Sequence, residues 1–353
     1  MRAKPGQALP GPYLGFQLKH IGDFLMTLPA LGFIRQNRPD WPVGVVVTPK
    51  IAELAQAHPW VDEVFILDRT KGPGHLWNTA RAIGRRHQYQ TGLIFDGQTR
   101  SIVAAALAGL PHRAGASGLY STGAWSFLYH YDLEIRDESW PVESQAYRGQ
   151  KLAASALSLD PGPALRPPKP ALGVENLEQA EALAAELKGS GPIIGLALQG
   201  MQPEKSWPLV HFAELCRRLW VWGEARLYVT GGPGESRLVK ALAEASKVPV
   251  ADFCGRTSLL DVVALAGKSD LYITIDTGTS HLAALTETPI ISIFIWTSPA
   301  LWPPQSPQAR LMCYDWALAR FGLRRADGPW RAAPVVTPAM VFEEALSVIK
   351  RFG

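Results

Sequence analysis

The stretch that most constrains the fold is residues 270–299, which has the pattern of a strand, a polar turn, a short helix and a second strand. Leu271–Ile275 is short and rich in β-prone residues. The Asp-Thr-Gly-Thr-Ser sequence at 276–280 supplies acceptor side chains of the kind that begin helices, and Pro289 ends the helix. Residues 290–296 are apolar without alternation, as in a strand covered on both faces. We therefore predict a βαβ unit of a parallel sheet.

The same alternation runs along the chain on both sides of a proline-rich segment at residues 161–170. It predicts strands at 13–18, 43–48, 64–67 and 93–96, and again at 193–197, 226–230, 271–275 and 290–296. Strands that alternate with helices favour a parallel sheet covered on both faces. We predict an α/β protein with two doubly wound, Rossmann-like domains, at 1–170 and 171–336, that face each other across a cleft.

Composition narrows the function classes. The net charge is +4, with 47% hydrophobic and 19% charged residues, which is typical of a globular protein. No basic run of five or more appears, so no nucleic-acid partner is expected. The three cysteines are far apart, which predicts neither a disulfide framework nor a zinc site and favours a reducing, cytoplasmic location. The apolar runs fall short of the ~18 residues that span a bilayer.

Polar residues at the predicted strand ends are candidates for chemistry. Asp23 follows the first strand, where an ionised carboxylate at a helix start can accept a proton from an attacking hydroxyl. The same residue type is also an ordinary helix cap. Arg100 follows the strand at 93–96 and can face an anionic acceptor, whereas Arg69, Lys71 and Arg113 have the pattern of a solvated basic surface.

The second half offers three further candidates. Lys205 lies at a helix entrance, where its ammonium can neutralise a phosphate or simply be solvated. Glu235 ends a Gly-Gly-Pro-Gly-Glu turn, so it can accept hydrogen bonds from ribose hydroxyls or favour its own helix start. His281 can face a ligand or pack in the core.

Five short motifs occur in the order found in one enzyme family. They are Gly-Asp at 22–23 followed by Leu-Pro-Ala-Leu at 28–31, Lys-Ser-Trp-Pro at 205–208, Gly-Gly-Pro-Gly-Glu at 231–235, Cys-Gly-Arg-Thr-Ser-Leu at 254–259, and Asp-Thr-Gly-Thr-Ser-His-Leu at 276–282. The series resembles the ADP-heptose:lipopolysaccharide heptosyltransferases of glycosyltransferase family 9. The likeness covers about residues 13–305 and the last helix.

The resemblance implies a GT-B fold with the acceptor on the first domain and the nucleotide-sugar donor on the second. It implies an inverting, metal-independent transfer of heptose from ADP-heptose to a lipopolysaccharide inner-core acceptor, with Asp23 as the base and no cofactor. The implied donor-binding residues are Lys205, Glu235, Asp276, Thr277, Gly278, Thr279 and His281. Lys19 and Arg100 are the candidates for the anionic glycolipid acceptor, which is compatible with peripheral contact at the inner membrane face. We also expect residues 337–353 to form a helix that packs back on the first domain.

The chain departs from the family pattern at a few positions. Lys19 and His20 stand where many members have small or hydroxylated residues, Met201 and Gln202 replace a phosphate-binding hydroxyl, and Ile295 replaces a glycine. These positions bear on donor and acceptor identity more than on the fold.

The residues also allow three other functions to be considered. A nicotinamide-dependent oxidoreductase is disfavoured, because the first turn lacks Gly-x-Gly-x-x-Gly. A nucleotide-sugar epimerase of the same GT-B plan would not need Arg100. A degenerate sugar-nucleotide-binding protein would fit the changes at Met201 and Gln202, but not the joint retention of Asp23, Lys205, Glu235 and His281.

Overall fold

The computed structural model describes residues 8–86, 88–115, 128–129, 131–132, 143–200 and 203–352. The chain divides into two compact units, Met1–Ala171 and Leu172–Gly353. Each unit is built around its own parallel sheet.

In the described residues, the first unit has a six-stranded sheet in the order β3-β2-β1-β4-β5-β6, with every neighbouring pair parallel. The strands are β1 (Tyr13–Gln17), β2 (Gly44–Val47), β3 (Glu63–Ile66), β4 (Thr91–Ile94), β5 (His112–Gly115) and β6 (Tyr131–Asp132). The helices are α1 (Ile21–Asn37), α2 (Pro49–Gln56), α3 (Pro73–Gly84), α4 (Thr99–Leu107) and α5 (Gln145–Leu157). The central strands β1, β2 and β4 are buried throughout, as parallel strands covered by helices must be.

Helix α1 begins at Ile21, four residues after the end of β1. His20 is its N-cap and Asp23 lies in its first turn, so residues 21–23 are helical rather than part of a preceding turn. Pro29 lies inside the helix, where it removes one backbone hydrogen bond. The helix tolerates this loss because it is buried from Phe24 to Ile34, so packing rather than hydrogen bonding dominates its stability.

The second unit has, over the residues described, a seven-stranded parallel sheet in the order β13-β12-β11-β10-β7-β8-β9. The strands are β7 (Ile193–Ala197), β8 (Arg226–Val229), β9 (Ala251–Asp252), β10 (Leu271–Ile275), β11 (Ile290–Phe294), β12 (Ala309–Tyr314) and β13 (Trp330–Ala333). The helices are α6 (Val174–Ala185), α7 (Leu209–Gly223), α8 (Ser236–Ser246), α9 (Leu259–Ala266), α10 (Gly278–Ala283), α11 (Asp315–Arg320) and α12 (Pro338–Phe352).

Both faces of the second sheet carry a core. Along β7, Ile194 and Leu196 belong to one buried cluster, while Ile193 and Ala197 belong to the other. This follows from the two-residue period of a strand. The non-alternating apolar pattern of these strands is thereby explained.

The last helix, α12, is counted with the second unit. The predicted packing of residues 337–353 on the first domain stays a prediction. Val341, Ala345 and Val348 are buried in the second core, where α12 packs beside α7. The spacing of these three residues places them on one helix face, and that face completes the second core.

Candidate active site

Asp23 lies just beyond the carboxyl end of β1, in the first turn of α1. The backbone N–H of His20 donates a hydrogen bond to Asp23 Oδ2 at 3.3 Å, so this carboxylate caps its own helix. Two further hydrogen bonds hold this turn in place. Gln17 Nε2 donates to Thr27 Oγ1 at 3.1 Å, and Thr27 Oγ1 donates to the carbonyl of Asp23 at 2.9 Å. One oxygen of Asp23, Oδ2, therefore caps the helix, as the capping interpretation predicts. This hydrogen bond holds the carboxylate at a defined position.

The charge on Asp23 is set by two opposing effects. Burial raises the pKa of Asp23, while the Lys19 ammonium and the His20 N–H lower it. Burial also lowers the pKa of Lys19, and the carboxylates of Asp23 and Asp96 oppose that shift. Lys19 thus acts electrostatically on the candidate base, and its predicted contact with an acceptor stays a prediction.

Asp96, which follows β4, was not among the sequence candidates. It is fully buried, and its Oδ2 accepts hydrogen bonds from Leu18 N and Ser101 Oγ, both at 2.7 Å. Its Oδ1 accepts one from Gln98 N at 2.9 Å. Burial raises the pKa of Asp96 against these bonds. Asp96 therefore ties the ends of β1 and β4 together beside Asp23, and the Asp-Gly sequence at a strand end was the available signal.

Arg100 is held by a neighbouring loop. Its Nη1 donates to three backbone carbonyls, those of Asp68 at 3.2 Å, Arg69 at 2.8 Å and Lys71 at 3.2 Å. Arg69 is exposed, as the sequence suggested, and it also donates from Nη1 to the carbonyl of Leu18 at 2.9 Å. The two arginines line a cavity of about 300 Å³ together with Leu18, Gln98 and Thr99.

In the second unit, the carboxyl ends of β10 and β7 bring Asp276 and Lys205 together. Lys205 Nζ donates to Asp276 Oδ2 at 3.0 Å, and Thr297 Oγ1, just beyond β11, donates to the same oxygen at 2.7 Å. Asp276 is 8% exposed and the Lys205 side chain 23% exposed. Asp276 therefore positions the ammonium of Lys205, which keeps an accessible face.

The structure describes only part of the segment that precedes Lys205. Met201 and Gln202, two of the departures from the family pattern, lie outside the described residues. Lys205 ends a short 3-10 turn over Pro203–Lys205. Trp207, two residues later, is buried and donates from Nε1 to the carbonyl of Val336 at 3.0 Å. The Lys-Ser-Trp-Pro motif is thus anchored by its tryptophan.

The turn after β10 begins α10. Thr277 is the N-cap, with extended backbone, and its carbonyl accepts a hydrogen bond from Ser280 N at 3.1 Å. The N–H groups of Gly278 and Thr279 are in the first turn, where a helix leaves its donors without helical partners. These donors lie next to Asp276 in sequence.

His281 is buried in α10. Burial lowers its pKa to about 4, with Lys205 adding to the effect and Asp276 opposing it. It is therefore neutral at pH 7, and among the described residues its Nδ1 has no hydrogen-bond partner. A neutral imidazole can exchange hydrogen bonds with a ligand but cannot neutralise its charge.

Glu235 lies in the turn after β8. Its Oε1 accepts a hydrogen bond from Gly232 N at 2.8 Å, which is the local capping role. A Cβ on Gly231 would lie 2.7 Å from the Glu235 carboxyl group, so any larger residue there would displace the end of the Glu235 side chain. Its predicted contact with a ribose stays a prediction.

The sheet order places these residues after neighbouring strands at one edge of the second sheet. Strands β11, β10, β7 and β8 are consecutive neighbours. Their carboxyl ends lead to Thr297, Asp276, Lys205 and Glu235 respectively. In open α/β sheets, ligands bind outside the carboxyl ends of the strands.

Two general features complete the description. In the part of the chain that the structure describes, no three His, Cys, Asp or Glu side chains gather closely enough to hold a metal ion. Over those same ranges, no helix combines the length and apolar character needed to cross a bilayer.

Comparison with known proteins decides the family. The sequence profile of glycosyltransferase family 9 (heptosyltransferase) matches residues 77–324, which is more than half of the chain. The chain belongs to glycosyltransferase family 9. Its members are enzymes, and the match includes four of the five motifs used above, while Asp23 and Lys19 lie before it.

Individual family 9 relatives extend the likeness over nearly the full length. The chain is 25% identical to lipooligosaccharide heptosyltransferase 2 of Haemophilus influenzae, over 92% of this chain and 95% of that protein. The structure of E. coli ADP-heptose lps heptosyltransferase II is similar with a TM-score of 0.76 at 21% identity, covering 97% and 99% of the two chains. The family 9 glycosyl transferase from Veillonella parvula gives a TM-score of 0.81 at 18% identity, covering 99% and 100%. The predicted α/β, GT-B fold is thereby confirmed.

Proposed function

We propose that this family 9 enzyme transfers heptose from ADP-heptose to an anionic inner-core glycolipid of the lipopolysaccharide type. The transfer inverts the anomeric centre and uses no metal ion. The observation that carries the proposal is the Lys205–Asp276–Thr297 group at adjacent strand ends, within a chain that belongs to a heptosyltransferase family. The named relatives, two of them heptosyltransferases, support the choice of donor and acceptor.

The donor half of the proposal rests on charge. Departure of ADP leaves negative charge on the diphosphate, which must be stabilised. Lys205 supplies an ammonium whose position is fixed by Asp276, and the N–H groups of Gly278 and Thr279 supply further donors. In this scheme Asp276 and Thr277 shape the turn, neutral His281 offers a hydrogen bond, and Glu235 accepts hydrogen bonds from the ribose.

The acceptor half rests on Asp23. The acceptor hydroxyl oxygen attacks the anomeric carbon as the bond to the ADP oxygen breaks, and the hydroxyl proton passes to the Asp23 carboxylate. A single displacement of this kind inverts the configuration. Burial raises the pKa of Asp23, and a more basic carboxylate accepts a proton more readily.

The cavity beside Arg69 and Arg100 supports an anionic acceptor. Both guanidinium groups are held by backbone carbonyls, so their orientation is fixed before a ligand arrives. Fixed guanidinium groups suit carboxylate and phosphate ligands. We infer that an acidic group of the acceptor enters this cavity, with Lys19 nearby.

The proposal is tested by incubating the protein with ADP-heptose and an inner-core acceptor, with and without EDTA. We expect a glycosylated product whose anomeric configuration, read by NMR, is opposite to that of the donor, at a rate unchanged by EDTA. Lys205→Ala should weaken ADP binding by roughly ten- to a hundredfold, because a charge-assisted contact is lost and the Asp276 carboxylate is left without its cation near the diphosphate. Lys240→Ala, an exposed lysine on α8, is the matched control.

Other outcomes identify other functions. Donor binding without transfer would indicate a binding protein, and conversion of a nucleotide sugar into its epimer without acceptor would indicate an epimerase. Retention of configuration would contradict the proposed mechanism, and so would a loss of activity in EDTA that magnesium restores. Neither result bears on the donor, which the ADP-binding measurement tests separately.

A further inference from the structure

The positive charge of the chain is concentrated in one segment. Residues 69–131 contain seven Lys or Arg and a single acidic residue, Asp96, so this segment has a net charge of +6. The whole chain has a net charge of +4, which leaves −2 for all other residues together. Asp96 is fully buried, so it does not offset this charge at the surface.

Two helices of the segment form an apolar groove. Helices α3 and α4 enclose a cavity of about 620 Å³ lined by apolar or small residues and two arginines: Trp77, Ala80, Arg81, Gly84, Arg85, Leu107 and Ala108. Trp77 is 54% exposed and Leu107 44% exposed, so the groove presents two large apolar side chains to the solvent. Gly84 permits the close contact of the two helices, since a Cβ there would lie 2.9 Å from the carbonyl oxygen of Ala108.

Two arginines lie in line with Trp77 along the groove. Trp77, Arg81 and Arg85 are spaced four residues apart, so they lie on one face of the helix and its C-terminal end. Arg86 is paired with Glu63. In the described ranges, by contrast, no carboxylate pairs with Arg81 or Arg85, and both are exposed.

We propose that this surface, the α3–α4 groove with Arg81 and Arg85, docks on a membrane that carries anionic phospholipids. Tryptophan is favoured at the boundary between headgroups and acyl chains, and arginines there bind headgroup phosphates. The inference deepens the proposed function, since it rests on an acceptor that is presented by a membrane. The groove lies in the unit that also holds the Arg69 and Arg100 cavity.

The charges argue against a second copy of the chain as the occupant. A symmetric pair of these grooves would bring four arginines together without a carboxylate among the lining residues, and like charges disfavour such a contact. An anionic surface with an apolar interior satisfies both the arginines and the exposed Trp77 and Leu107.

The test is co-sedimentation of the full chain with phosphatidylcholine vesicles that contain or lack phosphatidylglycerol, without donor or acceptor. We expect binding that requires phosphatidylglycerol and weakens with salt. The double variant Arg81→Ala/Arg85→Ala should bind about thirtyfold more weakly, from about 1 kcal/mol per arginine. The matched control is Arg218→Ala/Trp222→Ala, which changes an arginine and a partly exposed tryptophan four residues apart on α7.

A second measurement locates the contact without removing the arginines. The native cysteines Cys216, Cys254 and Cys313 are buried, so a polarity-sensitive thiol dye can be directed to Leu107→Cys in the groove. We expect a blue shift on anionic vesicles, and no shift for Val221→Cys on α7.

Three outcomes would overturn the inference: equal binding to neutral vesicles, equal binding by the arginine variant, or a shift at Val221→Cys alone. Self-association that is lost in the arginine variant, with no vesicle binding, would identify a second copy instead. Failure here with heptose transfer intact would remove only the docking surface, because the vesicle assay does not use the reaction.

Discussion

At the scale of single residues, the carboxylate of Asp23 has two functions at one position. It caps α1 through the His20 N–H, and in the proposed mechanism it accepts a proton. Burial and the Lys19 ammonium act on its pKa in opposite directions. Lys19 therefore lowers the basicity that burial gives to Asp23.

The first prediction concerns this pair. Because burial raises the pKa of Asp23, the acid limb of kcat/KM should lie above the pH at which an ordinary aspartate titrates. Lys19→Met removes the charge that lowers this pKa, so the limb should move to higher pH. The measurement is the pH dependence of heptose transfer at low acceptor concentration.

Asp23→Asn is the companion variant. It keeps most of the capping ability but cannot accept the proton, so turnover should fall by roughly 10²–10⁴ with ADP affinity unchanged. If the acid limb does not move in Lys19→Met, the Lys19 ammonium does not lower the pKa of the catalytic base. Near-normal turnover in Asp23→Asn would remove Asp23 from the mechanism.

At the scale of elements, periodicity located the strands that are apolar throughout, and β7 and β10 have the predicted bounds. Residues 300–335, in contrast, have the pattern of an irregular segment, yet they form β12, α11 and β13. Arg310 and Arg331 within the two strands, and the prolines and tryptophans around them, hide the strand pattern. Only pairing with β11 makes β12 a strand, and pairing is not visible in a local window.

The candidate site, like the strands, could be predicted from the sequence only in part. Lys205 and Asp276 could be picked from local motifs, but their contact spans 71 positions of sequence and depends on β7 and β10 being neighbours. Asp96 was missed because its role is to accept hydrogen bonds from another strand end. The hydrogen bond of the exposed Arg69 was not predictable for the same reason, since its partner is the carbonyl of Leu18.

The prediction at this scale concerns the turn after β8. Gly231→Ala would place a Cβ against the Glu235 carboxyl group and displace it from the Gly232 N–H. ADP should then bind roughly tenfold more weakly, because a charged hydrogen-bond acceptor for the ribose is moved, while pyrophosphate affinity should hardly change. Gly234→Ala is the control, since a Cβ there meets no atom within 4 Å. An equal effect on ADP and pyrophosphate in calorimetry would argue against a ribose contact.

At the scale of the whole molecule, each unit contains a buried histidine with a depressed pKa. Burial lowers the pKa of His58 in the first unit and of His281 in the second to about 4. The unfolded chain takes up protons near the ordinary value of 6.5, and the folded protein does so near 4. The contribution of these two histidines to stability is therefore complete above pH 6.5 and falls as the pH is lowered through this window.

The corresponding prediction is that each histidine contributes a slope of at most about 1.4 kcal/mol per pH unit between pH 6.5 and 4. His58→Gln should flatten the acid dependence of unfolding of the first unit, measured by denaturant titration at a series of pH values. Gln56→Asn, which changes an exposed side chain without a titratable group at the end of α2, should leave that dependence as it is. If His58→Gln and the parent chain lose stability in parallel, His58 is not buried in its neutral form.

The final helix has a consequence for how the protein is made. Helix α12 completes the second core, and among the described residues the strands of each sheet come from one uninterrupted stretch of sequence, the first from residues 13–132 and the second from 193–333. A ribosome therefore finishes the described strands of the first sheet before it adds the first described strand of the second. Domains fold as units during synthesis, the N-terminal one first, so the nascent first half can acquire its sheet without waiting for the C-terminus.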